Sequence, residues 1–297
     1  MTAPARRPAS RSRIVVRRVA VVAVLVGVVA AIGWIGASRL RNDPRPAPAE
    51  TVPPLARLRI IFPEGFTVRE MAERVGAVRE IAITKRRVAP RLTQTGYERA
   101  ASRAFPPAAF RKDARGRSIE GFLFPATYEF SQYTSSARLV ADQLRAFRKQ
   151  WRKVDLRYAR SKNLTPYDVL TIASMVEKEA VAPAERKLVA AVIYNRLHSQ
   201  MPLGIDATIR YGRNVPGTEP LRKSDLESDS PYNTRKRLGL PPTPIANPGL
   251  ASIEAAAHPA RVDYLYFVRK PDKIHHFFTA SQAEFCAKSL EYGYGGC

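Results

Sequence analysis

The chain has 297 residues, 45% of them hydrophobic, which supports one large domain or two smaller ones with their own cores and excludes disorder throughout. Lysine and arginine number 49 against 26 acids, a formal net charge of +23 that points to anionic partners. The two cysteines, Cys286 and Cys297, lie near the end of the chain. A catalytic thiol needs an ordered base beside it, so they read as structural or incidental.

The first eighteen residues form a basic tail with six arginines (Arg6, Arg7, Arg11, Arg13, Arg17, Arg18) and no acid. Residues 19–38, "VAVVAVLVGVVAAIGWIGAS", follow without a charge. At about 1.5 Å per residue the run spans roughly 30 Å, the thickness of the hydrocarbon core of a bilayer. A cleaved signal would have a shorter apolar core and a small-residue cleavage site, for which "IGASRLRN" is a poor match, so the segment reads as an uncleaved transmembrane anchor. The positive-inside rule keeps the amino terminus cytoplasmic and places Arg39 onward outside.

With the six leading arginines set aside, 43 basic residues still face 26 acids, a net charge of +17 on the exported part. Nucleic acid, anionic lipid headgroups or a carboxylate-rich polymer all suit such a surface, and the topology disfavours nucleic acid. The arginines are scattered rather than clustered, so a general arginine bias explains the charge equally well.

Residues 39–56 include "NDPRPAPAETVPPL", a proline- and alanine-rich linker of extended character. "RLRIIF" alternates like a strand. In "TVREMAERV", Thr67 and Glu70 form a capping box, and Val68, Met71 and Val75 follow at helical spacing. Residues 77–117 are basic and broken by prolines, with room for one or two short helices. "IEGFLFPATYEF" (119–130) reads as strand-like, "SSARLVADQLRAFRKQW" as a helix with Leu139, Leu144 and Phe147 inward, and "YLYFV" and "HHFFTA" as paired strands. The mixture lacks βαβ regularity, which predicts an α+β fold.

The stretch "LTPYDVLTIASMVEKEA" carries the chemistry. Thr165 as N-cap, Pro166 at the first helical position and Asp168 as the capping-box acid start a helix. Ile172, Met175, Val176 and Glu179 share one i, i+3, i+4, i+7 stripe, Glu177 falls on its flank, and Lys178 points away. A half-buried Glu179 carboxyl has a raised pKa, as a general acid requires. An alternative is a structural salt bridge from Glu179 to Arg186 or Arg196, and helical phase alone does not separate the two.

No GxSxG elbow, P-loop or dinucleotide fingerprint is present, and the four histidines show no metal-binding spacing, so neither cofactor nor metal is expected. His258, before Pro259, is read as ordering a turn. Residues 201–249 are polar, turn-rich and aromatic. Asp206, Tyr211, Tyr232, Asn233 and Asn247 there combine the carboxylate, amide and aromatic groups of a sugar-binding groove, or else cap turns.

Eight segments in order, "EGFLFPATYEF", "ASMVEKEA", "ERKLVAAVIYNRL", "MPLGIDATIRYG", "SPYNTR", "GLPPTPIANPGLASIEAAAHP", "YLYFV" and "HHFFTASQAEF", resemble the YceG-like endolytic murein transglycosylases, the MltG family. The resemblance covers roughly residues 57–285. It implies a single-pass inner-membrane lytic transglycosylase, a carbon–oxygen lyase, with a LysM-like subdomain and connection (57–117) and an α+β catalytic domain (118–297) outside the cytoplasm.

By the same resemblance the enzyme cleaves β-1,4 bonds between N-acetylmuramic acid and N-acetylglucosamine within peptidoglycan strands. It leaves 1,6-anhydro ends and terminates nascent strand elongation. The family's catalytic glutamate falls on Glu179. Glu177, Glu120, Asn195, Asp206, Thr208, Tyr232, Asn233 and Asn247 are candidate substrate-binding or supporting residues.

Implied partners are glycan strands, with peptidoglycan synthases and division proteins as further candidates. The sequence departs from the family pattern at Ala180, where relatives often have a hydroxyl residue, at "GIDAT" in place of "DPT", and in having one LysM-like unit. The rival readings are a non-catalytic wall-binding or division scaffold, and a hydrolytic muramidase with Asp206 or Glu120 as second carboxylate.

Overall fold

The computed structural model describes residues 11–41, 57–114 and 118–295, in two units, residues 1–54 and 55–297. In the first unit, helix α1 (Arg11–Arg41) contains a 21-residue stretch, Arg18–Ser38, of mean hydropathy 2.6, long and apolar enough to cross a membrane. Valine is only a moderate helix former in water, but in lipid the backbone must satisfy its own hydrogen bonds, which a helix does. Most of the basic tail (1–10), most of the linker (42–56) and Cys297 lie outside the described residues.

The second unit begins with β1 (Leu58–Ile61) and α2 (Val68–Arg86). The capping box closes as expected: the Glu70 amide donates to Thr67 Oγ1 (3.2 Å) and the Thr67 amide to Glu70 Oε2 (2.7 Å). The helix runs well beyond Val75 and ends at Arg87, in the left-handed region. Helix α3 (Gln94–Ser102), a 3₁₀ turn (Ala108–Phe110) and the short α4 (Arg111–Ala114) follow.

β2 (Thr127–Phe130) then pairs antiparallel with β1, Leu58 opposite Phe130 and Ile61 opposite Thr127. The boundary expected at residue 117 therefore falls between two strands that pair with each other. Only the end of the strand-like 119–130 segment is strand. Gly121 turns the chain at φ +90°, a conformation that favours glycine, and a Cβ there would lie 2.7 Å from Pro244. The turn buries Phe122 and Leu123 completely.

Helix α5 (Ser136–Trp151) is capped by Ser135 and buries Leu139, Leu144 and Phe147, the face expected from spacing. Phe147 and Trp151 pack with Phe110 and Phe122, tying α5 to the preceding turns. Then come α6 (Arg157–Ser161), α7 (Pro166–Glu179), a 3₁₀ turn (Pro183–Glu185), α8 (Arg186–His198), α9 (Asp206–Arg213), α10 (Lys223–Leu226) and α11 (Leu250–Ala257). His258 is the residue at which α11 ends.

The chain closes with the antiparallel hairpin β3 (Tyr266–Arg269) and β4 (His276–Thr279), the expected strand pair, and α12 (Gln282–Glu291). Helix α7 is the centre of the core. Val169, Leu170, Ile172, Ala173, Met175 and Val176 are fully buried, and the helix packs against α8, α9 and α11. Helices and two small sheets together give the mixed α and β architecture that the sequence predicts.

Candidate active site

Helix α7 starts where Thr165 and Asp168 exchange hydrogen bonds: the Asp168 amide donates to Thr165 Oγ1 (3.2 Å) and the Thr165 amide to Asp168 Oδ2 (2.8 Å). Pro166 sits at the first position, where no amide donor is needed. The apolar stripe then drives the helix through the core until its last residue, Glu179. Ala180 leaves the helix with extended dihedrals. Glu179 thus stands at the rim of the core, half-buried, on the wall of a groove of about 1730 Å³.

The backbone N–H of Ala207, in the first turn of α9 where unsatisfied amides favour negative charge, acts on the Glu179 carboxyl to favour its charged form. Burial nevertheless dominates and raises its pKa to about 6. Arg269, the Ala207 amide and Lys178 pull it down, and the neighbouring charge of Asp206 pushes it up. The salt bridge to Arg186 or Arg196 weighed from the sequence does not form. Arg186 donates to Ser252 Oγ (3.2 Å), and Arg196 donates to backbone carbonyls.

Asp206, the first residue of α9, lines the groove and is held by Arg235 at 2.7 Å. Thr208, fully buried, donates to the Ile205 carbonyl (2.7 Å) and meets Thr234 (3.0 Å), fixing the entry to α9. Asn233 donates to the carbonyls of Leu226 and Ser228 and accepts the Arg235 amide, which shapes the loop presenting that arginine. Tyr232 lines the groove edge-on to Tyr211, with its hydroxyl 2.9 Å from Thr243.

Glu120 lines the same groove but is 3% exposed. It accepts the Val68 amide (3.0 and 3.2 Å), Asn247 Nδ2 (2.7 Å) and the Tyr211 hydroxyl (3.2 Å). These donors lower its pKa, burial raises it more, and the result is about 8. Asn247 also bonds the Phe66 carbonyl and the Leu123 amide, so it joins three segments. Glu177 lies off the groove and accepts the Gly249 amide (2.9 Å) at the start of α11, a supporting position on the flank.

Asn195 lies apart from these. It donates to the carbonyls of Val262 and Tyr264 and borders a separate cavity of about 470 Å³.

The structure adds residues that the sequence did not single out. Hairpin partners Arg269 and His276 both line the groove, and Arg269 Nη2 donates to the Glu179 carbonyl (3.2 Å). His276 is buried and bonded through Nδ1 to Glu185 (2.7 Å), whose carboxylate also takes the His276 amide. Burial keeps this imidazole below its ordinary pKa despite the glutamate. Their spacing from Glu179 in the chain hides them, and only the hairpin pattern of "YLYFV" and "HHFFTA" hinted at the element that carries them. Among the described residues no cluster of three or more His, Cys, Asp or Glu has metal-binding geometry.

Residues 39–289, nearly the whole second unit, match the family model described as the YceG-like family. The chain belongs to the YceG-like family. It is 37% identical over 218 residues to a Bacillus subtilis protein named endolytic murein transglycosylase, a match covering 71% of this chain and 59% of that one. A protein of the same name from Streptococcus pneumoniae is 36% identical, with 73% and 41% covered. The matched region thus spans about half the length of these relatives. Among solved structures, a yceG-like protein of Listeria monocytogenes superposes with a TM-score of 0.65 at 30% identity, covering 78% of this chain and 75% of that one.

Proposed function

We propose that this YceG-like chain is a membrane-anchored endolytic transglycosylase that cuts peptidoglycan strands between N-acetylmuramic acid and N-acetylglucosamine, with Glu179 as its acid and then its base. One observation carries the reading: Glu179 lines a large groove, free of an ion pair among the described residues, with a pKa raised to about 6. The names of the relatives support the same substrate. At about 1730 Å³ the groove exceeds the roughly 300–1,000 Å³ typical of small-ligand pockets, which suits a polymer.

The protonated Glu179 gives its proton to the glycosidic oxygen as positive charge develops on the muramoyl ring. The resulting carboxylate is held by the Ala207 amide and the positive field of Arg269. It then takes the proton of the muramoyl C6 hydroxyl, whose oxygen closes on C1 to give the 1,6-anhydro ring. The nucleophile is intramolecular, so one carboxyl serves where glycosidases that use water employ two.

The arginine-rich start of the chain, ahead of the apolar stretch of α1, supports a cytoplasmic amino terminus and a groove outside the membrane. The order β1, α2, α3, β2 supports a LysM-like reading of that region. Strand termination and companionship with synthases or division proteins follow from the same reading.

The test is the chemistry of the ends. Purified protein incubated with isolated glycan strands is expected to yield 1,6-anhydro-muramoyl termini by mass spectrometry. Reducing muramic acid ends would identify a hydrolase instead, with Asp206 beside Glu179 as its second carboxylate.

A further inference from the structure

Arg196, on α8, lines the groove, and the acid–base chemistry of Glu179 makes no use of its charge. Its Nε donates to the Leu265 carbonyl (2.6 Å) and its Nη1 to those of Pro202 (3.2 Å) and Leu203 (2.8 Å), which leaves Nη2. All these acceptors are uncharged. Burial and the nearby charge of Arg235 hold the guanidinium below its ordinary pKa, so among the described residues this is a partly desolvated cation without a carboxylate partner. Such a charge is costly unless something anionic meets it.

Space and companions are arranged around it. Gly204, at φ +63°, leaves room where a Cβ would lie 3.2 Å from Nη1. The guanidinium lies 5.2 Å from the centre of the Tyr266 ring, and Tyr266 stacks on Phe285 at 5.2 Å, which puts an aromatic wall beside the charge. Arg235 engages one oxygen of Asp206 through Nε and Nη2, which leaves Nη1.

We infer that Arg196, Arg235 and Tyr266 form a subsite for a carboxylate carried by the glycan, the carboxylate resting on the guanidinium and a sugar ring on the aromatic wall. The inference deepens the glycan-cleavage reading and rests on it. Two sources supply this chemistry: the lactyl carboxylate of a muramoyl residue stripped of peptide, or a free carboxylate of a stem peptide. In either case the remaining Nη2 donor of a charged guanidinium suits a carboxylate better than a neutral amide.

The experiment measures binding, so that it does not depend on turnover. The full chain carrying Glu179→Gln, in detergent, is titrated with three soluble glycan oligomers of equal length: peptide-bearing, stripped with free lactyl carboxylates, and stripped with those carboxylates amidated. The amidated oligomer is expected to bind about tenfold more weakly than the better of the other two, the scale of a charge-assisted hydrogen bond. Which of those two binds better assigns the source.

Adding Arg196→Gln should erase the difference, and Arg196→Lys should restore part of it. Equal binding of all three oligomers, or a difference that survives Arg196→Gln, overturns the subsite and leaves glycan cleavage standing. Failure to bind any oligomer overturns both. The comparison of oligomers needs no substitution at Arg196, so it stands even if Arg196→Gln fails to fold.

Discussion

Two carboxyls line the same groove, and their surroundings differ in kind. Around Glu120, the start of α2, Asn247 and Tyr211 supply three donors to a side chain that is almost wholly enclosed. Around Glu179, the end of α7 and the start of α9 supply one backbone donor and leave the carboxyl facing open space. Both pKa values are raised by burial, so a shifted pKa does not by itself mark a catalytic group. What separates them is hydrogen-bonding capacity left over for a substrate, which Glu179 keeps and Glu120 has committed to holding segments together.

The largest expected effect falls on Glu179. Glu179→Gln keeps size but cannot exchange the proton, so the rate of anhydro-product formation is expected to fall about 10² to 10⁴-fold, roughly 3 to 5 kcal/mol of barrier. The melting temperature should hold, because no ion pair is lost. A variant that melts early would mean that Glu179 is structural, like Glu120.

Glu120→Ala inverts that pattern. It strands the Val68 amide, the Asn247 amide group and the Tyr211 hydroxyl in the interior, for a loss of about 3 kcal/mol. At about 2–4 °C per kcal/mol for a domain of this size, calorimetry should show a drop of roughly 6–12 °C. Residual protein should still cleave.

A pH series sharpens the contrast. Glu120 binds its proton more tightly in the fold, about 8 against 4.5 in the unfolded chain, so its contribution to stability is full below 4.5 and is lost as pH rises towards 8. Denaturant titrations should show stability falling across that window, and Glu120→Gln should flatten the fall.

Glu177→Ala is expected to be mildest. It removes the acceptor of one amide at the start of α11, a cap worth about 1 kcal/mol, and most activity should remain in the same product assay.

The local parts of this account were legible in the sequence. Both capping boxes, the inward face of α5 and the phase of α7 depend on residues within a few positions of each other, and Glu179 emerged from that phase. Helical phase placed Glu179 within the apolar face, whereas the helix ends there and leaves it at the rim. Residues brought together by long-range pairing were not legible. Arg269 reaches Glu179, and His276 reaches the same groove, only because β3 and β4 return to the end of α7, and Glu185 binds His276 across 91 positions.

Polar residues in the turn-rich segment could be recognised as a group but not sorted. Asn233 and Thr208 hold backbone, and Asp206 and Tyr232 face the groove, a division set by loop geometry that composition does not encode. The pairing of β1 with β2 was hidden for the same reason: the capping box at Thr67 is local, while the partner of β1 lies 66 to 72 residues away in the chain.

The most direct measurement is the titration of the Glu179 carboxyl by NMR, with carbon-13 at glutamate side-chain carboxyls and Glu179→Gln used to identify its signal. The expected result is a resonance that vanishes in the variant and titrates with a midpoint near pH 6. A midpoint at or below 4.5 would mean that Glu179 is an ordinary exposed carboxylate, unable to hold the proton that the first step requires.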